Sequence, residues 1–247
     1  MKPRVLAGHL VTWGGNVSGG PLSPGFEAAT NLPPGLTNVV SIATGIGHSL
    51  ALRSDGTVVA WGINDEGETN VPPNLNNVVS IAAGNFTCLA LKSDGTVVGW
   101  GNDFWYPMVV PPGLSNIVAI AGGWSHSLGL KNDGTVTAWS TDYIDQGDFG
   151  STNVPSDLTN VIALATGGAH TCLVLKQDGT VFSWGWGFPL AEPPAGISNV
   201  VAVSAGNHPS LVLKVDGTVF GWPREMAAPP GLSNVMAIAS GQGIDYA

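Results

Sequence analysis

The chain has 247 residues, 17 acidic and 8 basic, giving a formal net charge of −9. Only 10% of residues are charged and 44% are hydrophobic, which excludes intrinsic disorder despite 35 Gly and 18 Pro. An acidic chain with its few cations scattered along its length offers no basic stripe for a phosphate backbone, so nucleic acid is excluded as a partner, and no run of roughly 18 to 20 apolar residues is present to insert in a membrane.

The N-terminal stretch carries Lys2 and Arg4, and its apolar run over residues 5–13 is broken by Gly8 and His9, so it does not read as a signal peptide. The compartment is not legible. From residue 38 onward the chain repeats itself. Asp-Gly pairs followed by Thr-Val recur at Asp55-Gly56, Asp94-Gly95, Asp133-Gly134, Asp178-Gly179 and Asp216-Gly217, at spacings of 39, 39, 45 and 38 residues. An Asn followed by Val or Ile opens each unit, at Asn38, Asn77, Asn116, Asn160, Asn199 and Asn234. A Trp closes each, at Trp61, Trp100, Trp139, Trp184 and Trp222, with Trp13 as a sixth closing residue.

In the first full unit, residues 38–45 and 48–54 read as short strands, and the Asp-Gly hairpin leads into a third over residues 57–61. Three to four short strands per unit of roughly 40 residues, with no helical periodicity, is the pattern of an all-β propeller blade. The units run over residues 38–76, 77–115, 116–159, 160–198 and 199–233. A split unit joins residues 234–247 to 4–37, because Ala247 aligns with Ala51 and Arg4 with Leu52 when Trp13 is set over Trp61. The expectation is a single domain, a closed propeller of six blades with one completed by both termini, which removes free sheet edges.

The pattern of residues 45–62, recurring in residues 122–139, resembles the regulator of chromosome condensation repeat family. That resemblance covers nearly the whole chain and implies the propeller fold. The family's best-known members have seven blades, and its functions diverge: guanine-nucleotide exchange, a plant ultraviolet-B receptor and a bacterial, secreted β-lactamase inhibitor. It makes a secreted origin and an inhibitor-like or adhesive role plausible, and leaves function to be argued from the loops.

Successive connections in an up-and-down blade alternate between two faces. The Asp-Gly hairpins and the Pro-Pro-Gly-Leu linkers fall on one face and are nearly constant. The turn before His48 and the segment after each closing Trp fall on the other, and both vary. There the turn presents Ile46, Asn85, Trp124, Ala169, Asn207 and Gln242 toward the central funnel. The post-Trp segments carry Phe104, Trp105 and Tyr106, then Asp142, Tyr143, Asp145 and Asp148, then Trp186 and Phe188, with an acidic stretch at Asn64 to Glu68. Trp105, Trp124 and Trp186 do not recur between units, so repeat packing does not account for them.

Phe104, Trp105, Tyr106, Trp124, Tyr143, Trp186 and Phe188 are therefore the candidate binding residues, aromatic anchors of the kind that dominate interfaces. A protein partner is expected first and a glycan second, with an enzyme site in the central funnel as the remaining alternative. His48, His126, His170 and His208 recur in the second-strand turn and read as structural ties to backbone groups rather than catalytic bases. Catalytic, cofactor and metal motifs are lacking, and Asp142, Asp145 and Asp148 do not have calcium-loop spacing. Cys88 and Cys172 read as buried, unpaired small hydrophobes.

Overall fold

The computed structural model describes residues 32–103, 106–140, 150–167, 170–185, 192–206, 210–222, 232 and 234–240. Five antiparallel sheets follow one another along the chain. The first holds β1 (Val39–Thr44), β2 (His48–Arg53) and β3 (Val58–Gly62); the second β4 (Val78–Ala83), β5 (Thr87–Lys92), β6 (Val97–Asp103) and the short β7 (Tyr106–Pro107). The third holds β8 (Ile117–Gly122), β9 (His126–Lys131) and β10 (Val136–Ser140); the fourth β11 (Val161–Thr166), β12 (Thr171–Lys176) and β13 (Val181–Gly185); the fifth β14 (Val200–Ala205), β15 (Ser210–Lys214) and β16 (Val219–Trp222). No helix occurs among the described residues.

Each sheet is a blade. Its middle strand is buried on both sides: β2, β5, β9 and β12 bury their first five residues and leave only the final Arg or Lys half-exposed. That is why strings such as HSLALR and TCLALK lack polar alternation, since a strand covered on both faces is apolar or small throughout. The apolar clusters lie between consecutive blades. Leu50 and Leu52 meet Ile81, Ala90 and Trp100; Leu89 meets Trp139; Leu130 meets Val174; Leu173 and Leu175 meet Val212 and Trp222. Trp100, Trp139, Trp184 and Trp222 therefore fill the space between blades, as their recurrence implied, while Trp13 lies outside the described residues. Blade-to-blade contacts fall on first and second strands, so the first strands stand innermost and the third strands outermost.

The Asp-Gly turn is a three-residue loop with a G1 bulge rather than a two-residue primed turn. Gly56 N donates to Arg53 O at 3.0 Å and Arg53 N donates to Thr57 O at 2.9 Å, with φ of 79° at Gly56 and no positive φ at Asp55. The Thr that follows has a role the motif did not declare. Its backbone N–H and its hydroxyl both donate to Oδ1 of the Asp, at 3.0 and 2.6 Å in Asp55–Thr57, and the pair recurs in all five turns.

The unit-opening Asn residues adopt left-handed φ of 54° to 60°, a conformation Asn tolerates best after Gly. This bend lets the next residue donate backward to the preceding blade's turn: Val78 N to Gly56 O, Ile117 N to Gly95 O, Val161 N to Gly134 O and Val200 N to Gly179 O, at 3.1–3.2 Å. Asn234 has the same φ of 57°, Val235 N donates to Gly217 O at 3.2 Å and Ser240 N to Ser204 Oγ at 2.8 Å. Residues 234–240 thus lie against the fifth blade at its sixth-unit side. The remaining residues called for the split blade, 4–31 and 241–247, are outside the described residues.

At the other end of each first strand, glycines pack against each other's backbone. A Cβ on Gly45 would overlap the carbonyl of Gly84, one on Gly84 that of Gly123, and one on Gly167 that of Gly206. These glycines let successive blades converge.

Candidate functional face

The connections assigned to the variable face do share it. Ile63, just past the closing Trp61, donates from its amide to Gly47 O at 2.8 Å, joining the post-Trp segment to the turn before His48. The same turns are chained from blade to blade: Ile46 N donates to Asn85 O at 3.3 Å and Asn85 N to Gly123 O at 3.2 Å. Asn85, expected to face the funnel, is instead buried, with Oδ1 lacking a partner. Its backbone bonds to both neighbouring blades draw it into the junction between them.

Of the aromatic candidates, Trp124 is described. It is half-buried in the turn between β8 and β9. Next to it in sequence, Ser125 Oγ lies 3.1 Å from His170 Nδ1 of the following blade, and the rings of His126 and His170 stack at 6.2 Å with 28° between planes. Tyr106 pairs its backbone with Asp103 in the β6–β7 hairpin; its side chain, and Phe104, Trp105, Tyr143, Trp186 and Phe188, lie outside the described residues, as do Asp142, Asp145 and Asp148.

The acidic stretch after Trp61 divides. Asp65 is exposed, but Glu68 is fully buried. Its backbone carbonyl accepts from Trp100 Nε1 at 2.8 Å and from Cys88 Sγ at 3.4 Å, while Oε2 accepts from Glu66 N at 3.0 Å and Oε1 has no partner. Burial raises the Glu68 carboxyl above its ordinary range. Ser151 holds the equivalent place two blades on, accepting from Trp184 Nε1 at 3.0 Å and Cys172 Sγ at 3.4 Å. The closing Trp and the small residue of the middle strand thus pin the linker arriving from the previous blade.

The histidines form two classes rather than one. His48 and His126 are the buried first residues of β2 and β9, whereas His170 precedes β12 with a left-handed φ of 55°. His208 is outside the described residues. His48 bonds a side chain, not backbone: Nε2 lies 3.3 Å from Cys88 Sγ of the next blade. A Cys/His pair at that distance has the separation of a nucleophile and its base, but its electrostatics run the wrong way. Burial lowers the imidazole to about 4 and pushes the thiol well up, so both are neutral at pH 7 and thiolate–imidazolium formation is opposed. Cys88 and Cys172 are both buried and neither is in a disulfide. Among the described residues, no group of three His, Cys, Asp or Glu side chains is placed to hold a metal ion, and no helix is long and apolar enough to cross a membrane.

The model of the regulator of chromosome condensation (RCC1) repeat matches residues 39–68, 78–104 and 117–143. Comparison with curated proteins returns no match. Among solved structures, the ectodomain of the receptor kinase CR4 from Physcomitrella patens superposes with a TM-score of 0.72 at 22% identity, over 88% of this chain and 60% of that one. The CRINKLY WD40 ectodomain of the Arabidopsis thaliana receptor kinase ACR4 gives 0.68 at 19% identity, over 84% and 76%. Prp20p from Saccharomyces cerevisiae, studied with its binding to Gsp1p and histones, gives 0.61 at 26% identity, over 81% and 59%. The same yeast protein is also known bound to Kap60. The chain thus spans about 60% of the length of the CR4 ectodomain and of Prp20p. Residues 39–68, 78–104 and 117–143 thus carry regulator of chromosome condensation (RCC1) repeats, and the all-β sheets of the chain are similar in fold to propeller-type proteins.

Proposed function

We propose that this protein is a non-enzymatic binding module that recognises a protein partner through the face carrying the β8–β9 turn and the segments after each closing Trp. The observation that carries this reading is the contrast between faces. On the Asp-Gly face each blade repeats the same turn and the same bond to its neighbour. On the opposite face, equivalent turn positions hold Ile46, Asn85 and Trp124, and Trp124 stays half-exposed where its counterpart Asn85 is buried. A solvent-accessible Trp with no repeat counterpart is suited to anchoring a partner. The yeast relative's protein partners support a protein over a small molecule. Phe104, Trp105, Tyr106, Tyr143, Trp186 and Phe188 complete the proposed surface.

We further infer that the ring has six blades, the sixth formed by residues 234–247 with residues 4–37. The support is that Val235 meets Gly217 through the bond that joins every described pair of blades.

Probing a protein array and a glycan array with the labelled chain tests the binding reading. A protein ligand whose affinity falls at least about tenfold on Trp124→Ala, with an unchanged melting temperature, is the expected result. Ligands confined to the glycan array, or chemical turnover of a bound molecule, would overturn it.

A further inference from the structure

The cations that look scattered in the sequence are gathered by the fold. Arg53, Lys92, Lys131, Lys176 and Lys214 each end the middle strand of their blade, so five of the chain's eight basic residues occupy one position repeated five times. Two residues after each stands the turn Asp. Its Oδ1 is held by the following Thr, and Lys92 Nζ lies 3.5 Å from Oδ2 of Asp94. Hydrogen bonds from Thr hold all five Asp carboxyls below their ordinary range, so they stay ionised at neutral pH. Each blade therefore shows one cation and one anion at a fixed offset on the Asp-Gly face.

The same face carries a row of exposed aliphatics nearer the axis. Val40, Val79, Val118, Ile162 and Val201 are 50–54% exposed. Each is the extra residue of a β-bulge, since the pairing register jumps from Val39 to Ser41, from Val78 to Ser80, from Ile117 to Ala119, from Val161 to Ala163 and from Val200 to Ala202. The bulge breaks the alternation that would have sent these side chains between blades. Between the third and fourth blades, Val118, Ile162, Lys131 and Asp133 line one open groove of about 390 Å³.

We propose that this face is a self-association surface on which a second copy of the chain docks face to face. Charge complementarity selects that occupant. The five repeated pairs balance one another and, among the described residues, the linkers add only exposed Asp157 and Glu192, so this face carries far less net charge than the −9 of the whole chain and is poorly suited to a polyanion or polycation. A two-fold axis in the plane of the face, by contrast, can set each cation over an anion of the other copy, because the offset between them is the same in every blade. The same operation brings the two rows of β-branched side chains together at the centre, where apolar burial drives association and the charges set the register. This surface is opposite the proposed partner-binding face and does not depend on it.

Sedimentation equilibrium of the full chain tests the inference. The expected result is a dimer with a dissociation constant below about 1 mM that weakens as salt rises. The triple variant Lys92→Glu, Lys131→Glu, Lys176→Glu turns most of the ring acidic and should raise that constant at least about tenfold. Val79→Ser, Val118→Ser, Ile162→Ser combined, at positions already exposed, should do the same, and Trp124→Ala should not. A chain monomeric at all accessible concentrations would overturn the proposal and leave the face to a different partner; a dimer indifferent to both triple variants would place the contact elsewhere and overturn it too.

Discussion

The carbonyl oxygen of Gly95 accepts a 3.2 Å hydrogen bond from the amide of Ile117, which belongs to the next blade. Gly95 itself has a φ of 80°, and a Cβ there would meet Asn116 N at 3.2 Å. One residue thus closes its own hairpin and docks the following sheet. The motif is conformational and intermolecular-like at once, two blades meeting backbone to backbone.

That double duty makes a prediction with an internal control. Gly95→Ala should lose about 1–3 kcal/mol of stability, combining left-handed strain with a contact that must give. Gly113 has a similar φ of 81° with nothing within 4 Å, so Gly113→Ala should lose about 1 kcal/mol or less. Urea denaturation midpoints of the two variants check the difference.

Much of this was legible in the sequence, and the division is physical. Strands, hairpins and the repeat length follow from local pattern: short apolar runs punctuated by Asp-Gly are a signal contained within a few residues. What stayed hidden pairs residues roughly 20 to 40 apart. The docking of Val78 on Gly56, the convergence of Gly45 on Gly84 and the meeting of His48 with Cys88 are set by how blades stack, which no local window contains. The recurring Gly at the end of each first strand was a visible signal for the second of these. The cations misled for the same reason, because even spacing along a repeat is clustering in space. On the candidate face, the chain showed which segments vary, but not that Glu68 and Asn85 turn inward, since burial there depends on the neighbouring blade.

Trp100 and Trp139 occupy equivalent positions but differ in hydrogen bonding. Trp100 Nε1 donates to Glu68 O at 2.8 Å, whereas Trp139 Nε1 finds no partner among the described residues. Replacing Trp100 by Phe should therefore cost about 1 kcal/mol more than the same change at Trp139, because it removes the stronger of the two hydrogen bonds to the Glu68 carbonyl as well as trimming the ring. Paired thermal or chemical melts of the two variants measure this.

His48 gives stability a pH dependence of definite sign. Its native pKa, lowered to about 4 by burial, means that the unfolded chain binds the extra proton first. Its contribution is fully present above the unfolded value near 6.5 and is lost as pH falls toward 4, by about 3 kcal/mol over the whole window. The turn aspartates, with lowered pKa values, act the same way but only below about pH 4. Unfolding free energies at pH 7 and pH 5 should differ in the wild type and differ less in His48→Gln.

The two thiols should be silent in the native protein. Cys88 and Cys172 are both fully buried, and burial pushes the Cys88 thiol up. Ellman's reagent should titrate close to none at neutral pH and both after denaturation, without reductant.

The central claim, that the non-repeating aromatic face binds a protein, is tested most directly by calorimetric titration of the array-selected protein ligand against the wild type and the Trp105→Ala, Trp186→Ala double variant. The account predicts a loss of about 2 kcal/mol or more, roughly thirtyfold in affinity, with the fold intact. Unchanged affinity in a correctly folded double variant would contradict it.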